Sequence, residues 1–393
     1  MLVIRKRAIF IGVAILVATI VALVGLLHYG EFEIGVASRS YTRDVYIDDE
    51  FHYTKLEYNV EQKGNPLVNS LLSGRETRGE KRGYTNRKRD STHRKRDSPL
   101  LVLILSTIAG SSAYGPKRNF GDFYDTISSI ISPEYSISLA FLVTSEREFK
   151  KIDKTIKKRL LASQSVSKVT ILRAPLLEED IQIDKENRHA DQLQRQRRRI
   201  IAKSRNFLLS HSLDLNQYSL FVDSDIENIE NSNQFLSTLI SSKLDIVVPR
   251  IIKGSDQDYD KNSWRGERTK PTKDQLDLMN KNLWDQASYV PRDILENMFH
   301  FTDYLENEVE YNLHKDELQY LVELDSVGGG VLFAKSIIYK QGAMFPTSYI
   351  VGTSWDRLEG YDGIETEGLC YLAKPLGYRC WGMPNLVAYH SDR

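Results

Sequence analysis

Cysteine is scarce in this sequence of 393 residues, which carries only Cys370 and Cys380. Two cysteines are too few for a disulfide scaffold and, without clustered histidines beside them, too few for a structural zinc site. They either pair with each other or stay as separate thiols in a packed core. The fold must therefore be held mainly by its hydrophobic core, and 41% apolar residues over this length are sufficient for one.

An excess of charge of either sign is also absent, because 53 lysines and arginines balance 53 aspartates and glutamates. No global field therefore draws the protein to nucleic acid or to a membrane surface. Residues 75–96 do carry ten basic side chains against three acidic ones, but Tyr84 is the one aromatic there on which a base would stack. We predict no nucleic-acid partner.

Long apolar runs are missing except for residues 8–27, which hold 20 residues without a charge or a proline. A helix of this length matches the hydrocarbon core of a bilayer, about 30 Å thick. Basic residues 5–7 precede it, which predicts a cytoplasmic tail (1–7) and a type II signal-anchor. A cleaved signal peptide ending near residues 36–38 is the alternative.

The rest of the chain divides at about residue 98. Residues 28–98 mix polar and charged runs with few apolar clusters, which predicts a basic, flexible luminal stem, with dibasic pairs as candidate processing sites. Residues 99–393 show short apolar runs between amphipathic stretches, which predicts an α/β domain with a mainly parallel sheet flanked by helices. The expected strands are 100–105, 137–143, 166–172, 218–222 and 246–249, and the expected helices are 120–131, 151–162, 191–212 and 233–241.

The most informative motif follows the strand at 218–222, which runs directly into Asp223 and Asp225. Ligands of parallel sheets bind beyond the carboxyl ends of strands, and paired carboxylates favour Mn²⁺ or Mg²⁺, which can clamp a diphosphate. An EF-hand loop is excluded because its sixth and twelfth positions, counted from Asp223, are Asn228 and Gln234. The alternative to a metal site is that these acidic residues cap the next helix.

Basic residues crowd the predicted helix at 191–212, just before this strand. Arg198 and Arg205, seven residues apart, fall on one helical face. Because a guanidinium matches phosphate oxygens, Arg205 is a candidate for binding a diphosphate, and a solvated position is equally open. The arginines at the remaining positions are expected to lie on a solvated face; these are Arg195, Arg197 and Arg199.

Taken together, the apolar segment at 8–27, the arginine-rich helix, residues 223–225, the motif at 259–265 and the motif at 365–368 resemble the fungal Golgi mannan-polymerase mannosyltransferases, glycosyltransferase family 62. The resemblance covers about residues 99–390. It implies a GT-A fold, GDP-mannose as donor, Mn²⁺ as metal, and retaining transfer that builds an α-1,6-linked mannose backbone on N-glycan outer chains. It also implies a luminal subunit of a hetero-oligomeric Golgi complex with related chains.

The resemblance adds residues to the acidic pair. His390 follows an apolar run near the C-terminus, where the family is expected to close its metal site. Ser106 and Thr107, placed just beyond the first strand, are expected to hold the nucleotide, and Glu146 is expected to contact base or ribose. Turn or helix capping is the alternative for these three.

Other candidates concern the sugars. Asn262 and Trp264 are expected to form an acceptor or donor-sugar wall, since a pyranose ring stacks on indole; a loop-to-core anchor is the alternative for Trp264. Asp325 precedes three glycines and is a candidate for sugar hydroxyl contacts. Glu365 and Glu367 either stabilise a helix N-terminus or bind the acceptor, with Glu367 as a possible base.

The sequence therefore predicts an enzyme, a GDP-mannose-dependent α-1,6-mannosyltransferase. A non-catalytic subunit that binds nucleotide sugar or partner chains is the alternative, because a metal motif shows the capacity to bind and not turnover. A luminal nucleotide-sugar hydrolase would share the metal site and differ in passing mannose to water.

Overall fold

The structure is a computed structural model that describes residues 40–61, 99–177, 191–287 and 289–392. Within these ranges eleven strands form one sheet. They are β1 (Ser40–Asp48), β2 (Tyr53–Glu61), β3 (Leu100–Ile108), β4 (Tyr135–Val143), β5 (Val166–Arg173), β6 (Tyr218–Val222), β7 (Ile226–Ile229), β8 (Ile246–Ile252), β9 (Val322–Leu324), β10 (Val331–Lys335) and β11 (Cys380–His390).

Helices pack on both faces of this sheet. In the same ranges they are α1 (Phe120–Ser129), α2 (Glu146–Arg159), α3 (Asp191–Ser212), α4 (Ser232–Ser241), α5 (Lys273–Asn280), α6 (Trp284–Ala287), α7 (Phe301–Glu306), α8 (Glu308–His314), α9 (Ser336–Lys340) and α10 (Thr366–Ala373). Short 3₁₀ turns lie at Leu160–Ala162, Pro175–Leu177, Leu295–Asn297 and Lys374–Leu376.

The centre of the sheet is parallel, as predicted. The order is β1-β2-β5-β4-β3-β6-β10-β8-β11-β7, with β9 on β11. Strands β5, β4, β3 and β6 are parallel neighbours, and β8 is parallel to β11. Strand β10 lies between β6 and β8 and is antiparallel to both, which makes the second half of the sheet mixed.

Strand β3 shows why both faces of the sheet are covered by other elements. Its run of apolar residues alternates between two cores, with Val102 and Ile104 in one and Leu103 and Leu105 in the other. Side chains of a strand point alternately to opposite faces, so a continuous apolar strand requires cover on both. Helix α3 packs on the second face, against β3 and β4.

Helix α2 starts five residues earlier than the predicted helix at 151–162. Ser145 is its N-cap and accepts a hydrogen bond from the Glu148 N–H, while Phe149, Ile152 and Ile156 bury one face. The charged first turn hid this start, because the apolar period begins only at Phe149. Capping serine followed by acidic residues is nevertheless a recognisable N-terminal signal.

The predicted stem is partly folded, which corrects the boundary at residue 99. Strands β1 and β2 form an antiparallel hairpin, and β2 adds to the sheet beside β5. Leu56, Tyr58 and Val60 are buried there. These alternate with polar residues at the period of a strand, a short signal that the surrounding charge obscured.

The predicted membrane anchor at 8–27 and the remaining stem residues, 28–39 and 62–98, lie outside the described ranges. Across the part of the chain that is described, no helix is both long and apolar enough to span a bilayer.

The two cysteines are paired, which decides between the two possibilities left open by the sequence. The disulfide joins Cys370 in α10 to Cys380, the first residue of β11. The disulfide therefore links α10, which begins within the 365–368 motif, covalently to the strand that ends at His390.

Candidate functional site

The acidic pair and His390 meet at one edge of the sheet. Asp223 follows β6, and its N–H donates to the Gly330 carbonyl at 2.9 Å, while the Ser391 N–H donates to the Asp225 carbonyl at 2.8 Å. These backbone bonds bring the end of β11 beside Asp225. The backbone therefore brings the C-terminal histidine beside Asp225, and Asp223 lies two residues earlier at the same strand end.

Asp225 and His390 form a close pair, with Oδ2 and Nε2 3.0 Å apart. Burial lowers the pKa of His390, but the hydrogen bond to Asp225, the negative charge of Asp225 and the hydrogen bond to the Ser391 carbonyl together outweigh burial and raise this pKa. The Tyr259 ring packs on the imidazole at 4.6 Å, and the Lys253 ammonium lies 4.3 Å from the Tyr259 ring centroid. The histidine is thus oriented on two sides.

Asp223 faces the other way. Arg205 Nη2 donates to its Oδ1 at 2.9 Å and to the Gly329 carbonyl at 3.0 Å, and Arg205 Nε lies 3.2 Å from Glu365 Oε1. Burial raises the pKa of Asp223 to about 7, and the negative charges of Asp225 and Glu365 add to this rise against the opposing effect of Arg205.

The glycines before β10 make this contact possible. A side chain at Gly329 would meet Arg205 Nη2 at 2.6 Å, and one at Gly328 would meet Asp260 Oδ2 at 2.2 Å. Asp260, which sequence reasoning missed, accepts from the Gly329 and Gly330 N–H groups at 2.8 and 3.0 Å. Backbone must approach these charges closely, which explains the three consecutive glycines.

The side chains at this strand end fit a divalent cation only in part. The described ranges contain no preassembled group of three acidic, histidine or cysteine side chains suited to hold a metal. Asp225 and His390 supply an oxygen and a nitrogen side by side, and Asp223 remains 36% exposed at the same strand end while bound to Arg205. Such a pair fits Mg²⁺ or Mn²⁺, which complete their coordination with substrate phosphates and water.

Glu367 lies in a second charged cluster and is fully buried. Arg198 Nη1 donates to its Oε2, and Arg268 Nη1 donates to its Oε1 at 2.9 Å. Arg198 also reaches Asn262 Oδ1 at 3.4 Å. The carboxylate predicted as a base is therefore saturated by two guanidinium groups inside the protein, a structural position without access for an acceptor hydroxyl.

Trp264 is an anchor and not a sugar wall, because its side chain is only 1% exposed. The Arg268 guanidinium lies over its ring at 4.8 Å, and its backbone bridges to Ser326. The prediction of an exposed stacking surface was wrong for this residue. Sequence context could not separate the two roles, since loop tryptophans serve both.

The three candidates for the nucleotide lie at or just beyond the carboxyl ends of β3 and β4, which are neighbouring strands. Ser106 and Thr107 lie within β3, which continues to Ile108, and not beyond it; the Ser106 side chain is buried. Glu146 begins α2 at the carboxyl end of β4 and is ion-paired with Lys150 at 3.0 Å and Arg173 at 2.9 Å. None of the contacts described joins these residues to Asp223.

Asp325 lies apart from the acidic pair. Its Oδ2 accepts from the Gly266 N–H at 3.1 Å. It lines a cavity of about 370 Å³ beside the disulfide, together with Glu323, Tyr371 and Tyr378. This cavity is at the Cys380 end of β11, whereas the acidic pair is at the His390 end.

Several charged partners had no detectable sequence signal. Arg195 and Arg199, predicted to be solvated, both pair with the buried carboxylate of Glu359. Arg268 reaches Asp362 at 3.5 Å as well as Glu367. The only hint was the density of arginines on α3, which requires acidic partners when the helix is buried.

The structure is that of an α/β protein with a cluster of charged side chains at the carboxyl edge of its sheet, the edge at which ligands of such sheets bind. The family model described as Anp1 matches residues 82–349. The chain belongs to the Anp1 family. This confirms the resemblance to mannan-polymerase proteins.

Two curated relatives show the range of this similarity. The chain is 27% identical over 303 residues to the mannan polymerase complex subunit mnn9 of Schizosaccharomyces pombe, covering 74% of this chain and 80% of the relative. It is 26% identical to the mannan polymerase complex subunit MNN9 of Candida albicans, covering 69% and 71%.

Among solved structures, the crystal structure of GalNAc-T7 with UDP, GalNAc and Mn²⁺ matches with 14% identity and a TM-score of 0.36, covering 75% of this chain and 43% of that chain. A likeness this weak defines neither a substrate nor a metal for the present chain.

Proposed function

We propose that this chain is a metal-dependent glycosyltransferase with a GT-A fold, which transfers mannose from GDP-mannose to a mannose hydroxyl of N-glycan outer chains. The product is an α-1,6-linked backbone formed with retention. The observation that carries the proposal is the Asp225–His390 pair beside Asp223 at the carboxyl edge of the sheet, in a chain of the Anp1 family. The names of the relatives support mannan as the product.

Asp225 and His390 would hold the cation, Mn²⁺ or Mg²⁺, together with phosphate oxygens of the donor. When bound, the cation offsets the negative charge of the departing diphosphate. Arg205 holds Asp223 in place through an ion pair. The Arg205 side chain is itself buried against Glu365 and forms the inner wall of the site. Because Asp223 titrates near pH 7, a positive charge in front of it would favour release of its proton.

The apolar segment at 8–27 supports a proposal about the cellular setting of the chain. We place the chain in the Golgi membrane as a single-pass type II protein anchored by residues 8–27, with the catalytic domain in the lumen. Its partners are related mannosyltransferase subunits of a hetero-oligomeric complex, since the relatives are named as such subunits.

A second candidate function is a non-catalytic subunit that binds nucleotide sugar or partner chains. The contact between Asp223 and Arg205 favours this second function. It leaves two of the three predicted metal ligands, Asp225 and His390, to bind a cation.

The test incubates the full-length chain, in mild detergent because of residues 8–27, with GDP-mannose, Mn²⁺ and an α-mannobiose acceptor, and follows product mass. We expect extension by mannose that requires the cation and disappears in Asp225→Ala. The exposed Asp316→Ala serves as the matched control and should retain activity. Cation-dependent binding of GDP-mannose without any product would support the non-catalytic subunit, and free mannose would identify a hydrolase.

A further inference from the structure

A loop near the C-terminus, residues 351–362, has a closed and fastened base. The Val351 N–H donates to the Asp362 carbonyl at 3.0 Å, and the Tyr361 N–H donates to the Val351 carbonyl at 2.8 Å. Glu359 is buried just inside the base and binds Arg199 Nη2 at 2.8 Å as well as Arg195. The loop is therefore held in place by both backbone and ion pairs.

The tip of this loop carries Trp355, whose side chain is fully exposed, and the neighbouring Leu358 is also exposed. The other tryptophans of the chain are buried or half-buried; they are Trp264, Trp284 and Trp381. Exposing the whole apolar ring of a tryptophan to water is unfavourable in free energy. Such exposure on a loop that is held in place is characteristic of a residue that binds a ligand.

The loop stands on the ligand side of the sheet. Helix α3 runs against the direction of β6, and its Arg205 meets Asp223 at the carboxyl end of that strand. Arg195 comes ten residues earlier, so at the rise of an α-helix it lies about 15 Å further out along the helix axis. Glu359, bound to Arg195, therefore places the loop beyond the edge where ligands of such sheets bind.

The residues beside Trp355 offer hydrogen bonds of both kinds. Asp356 is an exposed carboxylate and accepts, while Arg357 donates; its Nε is buried without a hydrogen-bond partner in the described chain. The two charges cancel. A flat apolar ring flanked by one acceptor and one donor, without net charge, suits a neutral pyranose, which has an apolar face and a rim of hydroxyls.

We propose that Trp355 and Arg357 form an acceptor subsite that holds a mannose residue of the growing chain, several sugar units away from the transfer point. This inference rests on the proposed function and specifies its acceptor. Because the base of the loop is held at Arg195, roughly 15 Å along the axis of α3 from Arg205, we expect a disaccharide bound at the transfer point not to reach the subsite. The structure thus assigns to Trp355 the stacking role predicted for Trp264.

The kinetic test compares Trp355→Ala, Trp355→Tyr and the control Phe51→Ala, which removes an exposed ring at the turn between β1 and β2. For a long α-1,6-oligomannoside we expect Trp355→Ala to raise KM roughly tenfold, with Trp355→Tyr and Phe51→Ala close to the parent. KM for α-mannobiose should be unchanged in all three. An unchanged KM for the long oligomannoside in Trp355→Ala, or an equal rise in KM for both acceptors, would overturn the subsite.

A binding test separates failure of the subsite from failure of the proposed function. Acrylamide quenches exposed tryptophans, so the parent chain should lose its most quenchable fluorescence component in Trp355→Ala. We expect the oligomannoside to protect that component in the parent, without donor or cation. Protection with no transfer would retain the subsite and reject the enzyme. Transfer without protection, or protection only by a partner subunit, would reject the subsite.

Discussion

Asp223 and Asp225 are two residues apart and leave the same strand, yet the structure uses them differently. Asp223, itself partly exposed, belongs to a rear network of ion pairs with the buried side chain of Arg205, which also pairs with the buried Glu365. Asp225 belongs to a front pair with His390 at the end of β11. The comparison teaches that spacing brings acidic residues to an edge, whereas the surroundings decide whether each becomes a ligand or a support.

The rear network continues along α3, where Arg198 binds Glu367. Removing ions from water costs several kcal/mol per ion, so each buried charge needs a partner. The front pair contains a histidine, which can lose its proton when its partner is removed. We therefore expect changes in the rear network to affect folding and changes in the front pair to affect binding.

The largest effect should follow Arg205→Ala, which leaves the carboxylates of Asp223 and Glu365 without the guanidinium that pairs with them. We expect the free energy of unfolding to fall by about 3–5 kcal/mol, the cost of leaving buried charge uncompensated, as measured by urea unfolding of the full-length chain. Arg197→Ala, on the same helix, should cost less than about 1 kcal/mol. Similar losses for both would remove the distinction between the rear network and the helix surface.

The disulfide connects the two regions, because it joins α10 of the rear network to the strand that ends at His390. Replacing Cys370 and Cys380 together by serine should lower the free energy of unfolding by roughly 2–3 kcal/mol, as the loop between them is short. Affinity for Mn²⁺ in the presence of GDP should stay within about twofold, since strand register holds His390. A large loss of affinity would show that the front pair depends on the covalent link.

A smaller effect concerns Asp362, which lies beside the rear network. Burial raises its pKa to about 6, with Glu367 adding to the rise and Arg268 opposing it. The folded state then binds more protons than the unfolded state between about pH 4 and 6. The free energy of unfolding should fall by about 2 kcal/mol as pH rises through this window.

Asp362→Asn should lack that fall, as shown by urea unfolding of parent and variant at half-unit pH steps. Asp316→Asn, at an exposed position, is the control and should follow the parent. Parallel curves for parent and Asp362→Asn would contradict the assigned pKa.

The smallest effect on folding should come from the front pair. Asp225→Asn removes the charge that raises the pKa of His390 but leaves a side chain that can still accept its hydrogen bond, and should change the free energy of unfolding by less than about 1 kcal/mol. The same variant should lose at least tenfold in Mn²⁺-dependent binding of GDP-mannose, measured by calorimetry. Destabilisation comparable to that of Arg205→Ala would assign Asp225 to the rear network instead.

Local patterns predicted much of the fold. Strand β6 and helix α3 have the predicted bounds, because a short apolar run and a long amphipathic one each carry a clear period. The hairpin β1–β2 was missed, since its alternation is brief and lies among charged residues. Asp223 and Asp225 were predicted from their position at a strand end and His390 from the family resemblance, while Asp260 and Arg268 were not predicted, because their partners are far away in sequence.

The sequence by itself determined the parallel centre of the sheet, the acidic strand end and the family, because these depend on neighbouring residues and on their order. Only the tertiary structure decided that Trp264 is buried and Trp355 exposed, that Glu367 is held between two arginines, and that Asp223 turns towards Arg205. The physical reason is that burial and charge pairing arise from segments far apart in the chain, whose contacts no local pattern records.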